Sequence, residues 1–327
     1  MFGGQLITGQ RIYLWVVIAS SAIAGGTLAS LFGRHLYLEL ATHFRLQYAL
    51  GASVCALLLI GFRSWKLVPL AVCCAVVNWA FIVPYYSAPS RHDDPPAGIH
   101  LRLVLANVLN SNQNYAALTA AINQEQPDIT VLQEFTEEWQ SNLTAFASQY
   151  PYAKLAAKAG GSGMALFSRY PIEQADVLTL DTSGHPALHV RINVQGTPLL
   201  ILGLHPPTPV RSDKFSNRNL QFAQAAALIK TDPGAKLLIG DLNTTMWSPY
   251  FSDLLRDSGL HDARVGFGLQ PSWPMPLPSV LQIPIDQCLV GDHVSVQAIR
   301  VGARTGSDHR PLVVDVNLPK LAMQASR

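Results

Sequence analysis

Three long apolar runs open the chain, and short alternating ones fill the remainder. Ile12 to Leu31 carries no Asp, Glu, Lys, Arg or His, is rich in Ala, Val, Ile and Leu, and at about 20 residues is long enough to cross a bilayer as a helix. Leu46 to Phe62 is a shorter uncharged run, near the lower limit of about 17 residues for a span. Leu67 to Tyr85 is a third, bordered by Trp65, Lys66, Tyr85 and Tyr86 at interface-like positions. A cleaved signal peptide would account for one such run, not three, and the first lacks a strongly basic start. The pattern predicts a membrane anchor over residues 1–86, with transmembrane helices near 12–31, 46–62 and 67–85.

A polar, proline-rich stretch at 87–98 reads as a linker. The 99–327 segment that follows changes period. His100–Ala106, Ile129–Leu132, Met164–Ser168, Ala175–Leu180, Leu188–Val194, Leu199–Leu204, Leu237–Ile239, Ile285–Val290 and Pro311–Val316 read as strands. Tyr115–Gln124, Thr136–Ala147, Asn219–Lys230 and Tyr250–Ser258 have helical spacing. Strands outnumber helices and connections are mixed, which predicts an α+β layered sandwich with one sizeable core. The chain has no internal repeat or low-complexity segment.

Composition sharpens this division. Only 13% of the 327 residues are charged and the mean hydropathy is positive, an excess that the three opening runs carry. Net charge is +2, and no basic stripe with interleaved aromatics occurs, which argues against an enzyme dedicated to duplex DNA. Cys55, Cys73 and Cys74 fall in the apolar runs, so Cys288 alone remains in the second domain and no disulfide forms within it. Flanking charges leave orientation balanced, with Arg11, Arg63 and Lys66 set against Arg34, Arg45 and Arg91. The tight basic loop Arg63–Lys66 favours the cytoplasm for itself and predicts an extracytoplasmic second domain on a bacterial-type inner membrane. No Asp, Glu, Lys or Arg interrupts the three runs, which fits an anchor better than a transporter.

Chemistry collects at strand ends. Asn107, Glu134, His205, Asp241 with Asn243, Asp286, and Asp308 with His309 each sit beside an apolar strand. Alone, Gly240-Asp241-Leu242-Asn243 is a good turn and Ser307-Asp308-His309 a good loop cluster. Together they form a hard-oxygen set with two imidazoles, suited to Mg²⁺, or alternatively Mn²⁺ or Ca²⁺, and to metal-assisted phosphoester hydrolysis. His185 and His189 match no motif and read as structural. Arg218 reads as a surface or helix-start residue, with a substrate contact as the alternative. Trp247 and Trp273 read as packing residues near the cleft, with a substrate rim as the alternative.

In this order the motifs resemble those of the endonuclease/exonuclease/phosphatase superfamily, whose fold is the DNase I-like one. The resemblance covers about Leu101 to Val316 and rests on Asn107, Gln133-Glu134, the Gly163–Pro171 segment with Ser168-Arg169-Tyr170, His205, Gly240–Asn243, Ile285-Asp286 and Ser307–His309. It implies a four-layer α/β sandwich cleaving a phosphodiester or phosphomonoester by in-line attack of an activated water. The resemblance implies Glu134 as principal metal ligand with Asn107 and Asp308, and Asp241 with Asn243 on the water. It further implies His309 paired with Asp286 at the scissile phosphate and His205 stabilising phosphoryl charge. Arg169 reads either as a substrate-binding residue or as a brace of the sheet. Gln287-Cys288 and Pro206-Pro207 depart from the usual pattern and leave the substrate open between nucleic acid and lipid or inositol phosphates. The lipid bilayer is the other expected partner, and the sequence implies no protein partner. The reading set against catalysis is a silent phosphate- or headgroup-binding domain; a third makes the helices functional and the domain a scaffold.

Overall fold

The computed structural model describes residues 2–87 and 98–320. Its chain divides into two compact units, one comprising residues up to Ser87 together with Trp247–Pro249, the other the remainder. The linker expected at 87–98 lies outside the described residues except at its ends.

The first unit is helical: α1 (Phe2–Ser30), α2 (Leu36–Thr42), α3 (Arg45–Gly61), α4 (Val68–Ile82) and the short α5 (Pro84–Ser87). Small residues set its packing. Ala52, Cys55 and Ala56 of α3 are buried with Ala71, Cys74 and Ala75 of α4, and a Cβ on Gly26 of α1 would meet the Tyr48 ring at 2.6 Å. Leu14, Trp15, Leu28, Val54, Leu57 and Val76 point outward and are exposed. Two helical stretches, Thr8–Ser30 and Val68–Ser87, are long and apolar enough to cross a membrane. The middle run differs from expectation. It forms a 17-residue helix that begins at Arg45 and is bent 64° from α2, so the three expected spans become two, or three only if the bent pair is one span. Arg45, expected as a flanking charge, is instead buried at the head of α3, with Nη1 donating to Asn78 Oδ1 at 3.1 Å.

The second unit runs β1 (Ile99–Asn107), α6 (Tyr115–Glu125), β2 (Ile129–Gln133), α7 (Glu137–Asn142), α8 (Thr144–Ala147), β3 (Tyr152–Ala156), β4 (Met164–Ser168), β5 (Ile172–Thr179), β6 (Pro186–Val194), β7 (Thr197–Leu204), α9 (Ser212–Lys230), β8 (Ala235–Asp241), α10 (Pro249–Ser258), β9 (His261–Asp262), β10 (Asp286–Val290), β11 (Ser295–Val301) and β12 (Leu312–Leu318). Two six-stranded sheets form, in the orders β11-β12-β1-β2-β4-β3 and β5-β6-β7-β8-β10-β9. Among the described strands, only β1/β2 and β7/β8 pair in parallel.

Strand alternation builds the layers. In β1, Leu101, Leu103 and Leu105 enter the core between the sheets, packed with Leu188, Val190, Ile201, Leu237 and Ile239 of the other sheet. The alternate Val104 and Ala106 face outward onto Leu118 and Ile122 of α6, Trp139 of α7 and Phe146 of α8. On the second sheet Leu200, Leu202 and Leu238 are the buried alternate set, and α9 buries Phe222, Ala225, Ala226 and Ile229. The result is the expected α+β sandwich of four layers. The helix expected over Thr136–Ala147 breaks at Leu143 into α7 and α8, whereas α9 starts at Ser212, well before the expected Asn219.

Candidate active site

The same alternation aims the site. Asn107 continues the inward series of β1, Gln133 that of Ile129 and Val131, Asp241 that of Leu237 and Ile239, and Asp286 that of Cys288 and Val290. Asn107 lies opposite Gln133 in the parallel pair, and Asp286 opposite Asp241 in the antiparallel one. Residues up to 179 positions apart in the chain thus meet at one edge of the core, where apolar side chains give way to polar ones.

Gln133 locks the two sheets together there. Its Nε2 donates to Leu204 O at 2.9 Å, and its Oε1 accepts from Asp241 N–H at 2.7 Å. Gly240 permits this approach, since a Cβ there would stand 1.8 Å from Leu204 O. Glu134 then takes a left-handed conformation, φ 58°, and Asn243 does the same at φ 49°. Glu134 receives Asn107 Nδ2–H on Oε1 at 3.1 Å and Asn110 N–H on Oε2 at 3.0 Å. Asn107 Nδ2 also lies 3.3 Å from Asp241 Oδ2. Asp241 Oδ1 accepts from Asn243 N–H at 2.9 Å, and Asn243 Nδ2 donates to Pro206 O at 3.0 Å.

His309 occupies the centre. Its Nδ1 is 2.9 Å from Asp286 Oδ2, and its Nε2 is 3.7 Å from Asp241 Oδ2. His205 Nε2 is also 3.7 Å from that Asp241 oxygen. Burial opposes charge on His309, but the carboxylates of Asp286 and Asp241 outweigh it and push its pKa up to about 10. Burial would raise Asp286, yet His309 and the hydrogen bonds from His309 and Ser272 hold it below the usual carboxylate range. Asp241 is pushed up by burial to about 7 against the pull of His309. Burial pushes His205 down to about 3, with His185 and His309 adding to the effect, so it is a neutral imidazole.

Three acid and imidazole groups, Asp241, Asp286 and His309, lie close enough to be taken for an ion cage. The Nδ1 contact explains that grouping as an imidazolium between two carboxylates, which already supplies the cation. Glu134 and Asn107 offer hard oxygen donors of the kind a divalent cation takes. Asp308 Oδ1 is buried without a hydrogen-bond partner, while its Oδ2 accepts from Trp273 Nε1 at 3.0 Å.

Asn107, Glu134, His205, Asp241, Asn243, Asp286 and His309 are therefore linked through direct contacts, and Asp308 adjoins them through the chain. Arg169 is not among them. It follows β4, whose Ser168 pairs with Ile129 while Met164 pairs with Gln133, so it stands at the opposite end of β2 from Glu134 and is exposed. Trp273 is at the site, its ring centroid 6.4 Å from that of His309, whereas Trp247 groups with the helical unit and donates from Nε1 to Phe81 O. His185 supports the site indirectly, with Nδ1 2.9 Å from His205 O; His189 faces Asp176 on the neighbouring strand. Arg218 is buried, not at the surface, among the Phe215, Phe222 and Tyr250 rings.

Sequence reasoning missed the bracing residues. Gln287, read as a departure, donates from Nε2 to Thr244 O at 2.9 Å and accepts from Arg264, which also donates to Asp286 O. Ser307 Oγ donates to Asn107 O at 2.7 Å and accepts from His309 N–H. A buried arginine near no acidic motif leaves no local pattern to read.

Residues 104–309 match the model of the Endonuclease/Exonuclease/phosphatase family. The chain belongs to this family. A yeast relative, the inositol phosphosphingolipids phospholipase C of Saccharomyces cerevisiae, is 27% identical over 184 residues, 49% of this chain. The chain spans 36% of the length of that relative. Among solved structures, D. rerio TDP2 complexed with a single-strand DNA product superposes with a TM-score of 0.58 at 16% identity, covering 67% of this chain and 99% of that one. Sphingomyelinase C from Streptomyces griseocarneus gives a TM-score of 0.51 at 18% identity with the same coverage. At these identities the likeness establishes the fold.

Proposed function

We propose that this chain is a membrane-anchored, divalent-metal-dependent phosphodiesterase, with residues 1–86 as anchor and 99–327 as catalytic domain. The observation that carries the reading is the buried Asp286–His309–Asp241 chain of contacts set against the Glu134–Asn107 pair. Glu134, Asn107 and Asp308 would hold the ion, Mg²⁺ being the first choice for a hard, carboxylate-poor site. When bound, such an ion neutralises phosphoryl oxygens and the charge that develops on them.

The chain's own groups do the remaining work. Asp241, with Asn243 closing its turn, holds the attacking water and accepts its proton; a carboxylate raised toward neutrality is matched to that task. His309 is positively charged near neutral pH, and Asp286 fixes its ring through Nδ1, so Nε2–H donates to the phosphate. His205 stays neutral and donates to a second phosphoryl oxygen. The silent-binding alternative is disfavoured because none of these groups is replaced.

A lipid phosphodiester is the substrate class to test first. Apolar helices, the absence of a basic stripe, and the sphingolipid-cleaving activities in the names of two similar proteins all favour it over duplex DNA. The test follows hydrolysis of sphingomyelin, inositol phosphates, bis-p-nitrophenyl phosphate and plasmid DNA by the full chain in detergent, with Mg²⁺ or Mn²⁺ and with EDTA. EDTA should abolish turnover, Glu134→Gln should remove most of it, and His309→Ala should lower the rate about 10²–10⁴-fold. Undiminished turnover in either folded variant would remove the site assignment.

A further inference from the structure

The helical unit contains a second polar feature, remote in kind from the hydrolytic cluster. Residues 1–87 hold a single acidic side chain, Glu39, against Arg11, Arg34, Arg45, Arg63 and Lys66. A cavity of about 430 Å³ lies within this unit, lined by the Ser30–His35 turn, Arg45, Phe81, Trp247 and Pro249. Arg34, His35 and Arg45 make its lining basic, and no acidic residue contributes to it. Glu39 Oε1 accepts from Ser248 Oγ at 2.5 Å.

Arg45 is the informative member. It is 1% exposed, its Nη1 donates to Asn78 Oδ1 at 3.1 Å, and its Nη2 donates to Ser30 O at 3.3 Å. The guanidinium carbon also sits 4.0 Å from the centre of the Phe81 ring, while Nε has no hydrogen-bond partner. Every one of these partners is neutral. They fix the orientation of a buried cation without offsetting its charge, an arrangement that is expensive unless an anion completes it.

The position of the cavity says which anion. It opens where α1 ends at Ser30, where α3 begins at Arg45 and near the end of α4 at Ile82, so it lies at one end of the bundle. Phe32, Tyr37 and Tyr86 are exposed at that same end, 61%, 78% and 62% respectively. Aromatic side chains concentrate at the headgroup level of a bilayer, beside the apolar helix faces that meet the acyl chains. We propose that this cavity binds the phosphate of an anionic phospholipid headgroup; the inference rests on the membrane-anchored reading above. Arg34 and Arg45 supply the charge-assisted hydrogen bonds, and His35 a further donor.

Native mass spectrometry of the full chain in detergent with EDTA tests this, using phosphatidylglycerol, phosphatidylcholine and inorganic phosphate as separate probes. Phosphatidylglycerol should be retained preferentially, and the exposed pair Arg34→Gln/His35→Gln should lower its retention about tenfold or more, as losing one charge-assisted hydrogen bond to an ion does. Arg45→Gln should do the same, and the double variant keeps the test valid if that buried substitution misfolds. Equal retention by wild type and double variant, or equal retention of phosphatidylcholine, overturns the proposal. Arg34-dependent capture of inorganic phosphate without capture of phosphatidylglycerol overturns the lipid assignment. Alkaline carbonate extraction separates the two readings: a chain that leaves the bilayer refutes the anchor, whereas one that stays without lipid preference refutes only the cavity.

Discussion

The Gln133 amide reaches from β2 to both β7 and β8, and its two hydrogen bonds place Asp241 against the Asn107–Glu134 pair. Replacing it with leucine leaves Leu204 O and Asp241 N–H buried and unpaired. Gln133→Leu should therefore destabilise the second unit by about 1–3 kcal/mol for each orphaned group and lower kcat, since Asp241 loses its fixed orientation. Urea unfolding and steady-state kinetics measure both effects, and an unchanged kcat would remove Gln133 from the positioning role. Gly240 is a sharper case. Its φ is not positive, so the demand for glycine comes from space alone: Leu204 O would lie 1.8 Å from a Cβ. Gly240→Ala should lower the unfolding midpoint markedly, whereas Gly259→Ala, with nothing near its Cβ, tests only its positive φ and should cost about 1 kcal/mol. The groups proposed as catalytic were legible because each is a titratable or amide side chain at the end of an apolar run. Gln287, Arg264 and Ser272 were not, because their roles depend on which strand ends lie beside them. Arg169 illustrates the converse: its motif is sequence-adjacent to a strand, but to the far end of it.

At the level of elements, strands buried on both faces were plain in the sequence. β1, β2, β7 and β8 are near-continuous apolar runs because the inter-sheet core takes one face and helices the other. Of the edge strands, β5 was legible, but β3, β9 and β11 were missed for the opposite reason. β3 alternates only between intermediate and exposed positions, and β11 is mixed, so neither has an apolar signature. The break between α7 and α8 was invisible for a similar reason: both halves contribute apolar residues to one cluster, with Leu143 at the junction equally buried. β10 offers a direct check on burial. Cys288 is fully buried in it, and burial pushes its thiol up to about 12. Thiolate is the reactive form, so at pH 8 iodoacetamide should spare Cys288 in the native chain and label it in urea. Peptide mapping by mass spectrometry reads the outcome, and rapid native labelling would contradict the packing of β10.

For the whole molecule, the division into an apolar helical unit and a sheet-based unit follows from a change in hydrophobic period that no tertiary information is needed to see. On the membrane-anchored reading, the side that the second unit occupies is a separate matter. The basic Arg63–Lys66 loop predicts that the unit lies outside the cytoplasm. An alkaline phosphatase fused after Arg327 in a bacterial host should then be active and a fluorescent protein fused there dark; the reverse pattern would invert the orientation. Local pattern alone determined the two-part layout, the α+β class and most of the residue types of the candidate site, because hydrophobic periodicity and strand-end polarity are written in neighbouring positions. Only the tertiary structure decided that Gln133 joins the sheets, that His309 sits between Asp286 and Asp241, that Arg169 lies away from them, and that Arg45 is drawn into the bundle. Those outcomes depend on strand order, register and burial, which couple residues far apart in the chain and leave no signal in the neighbourhood of any one of them.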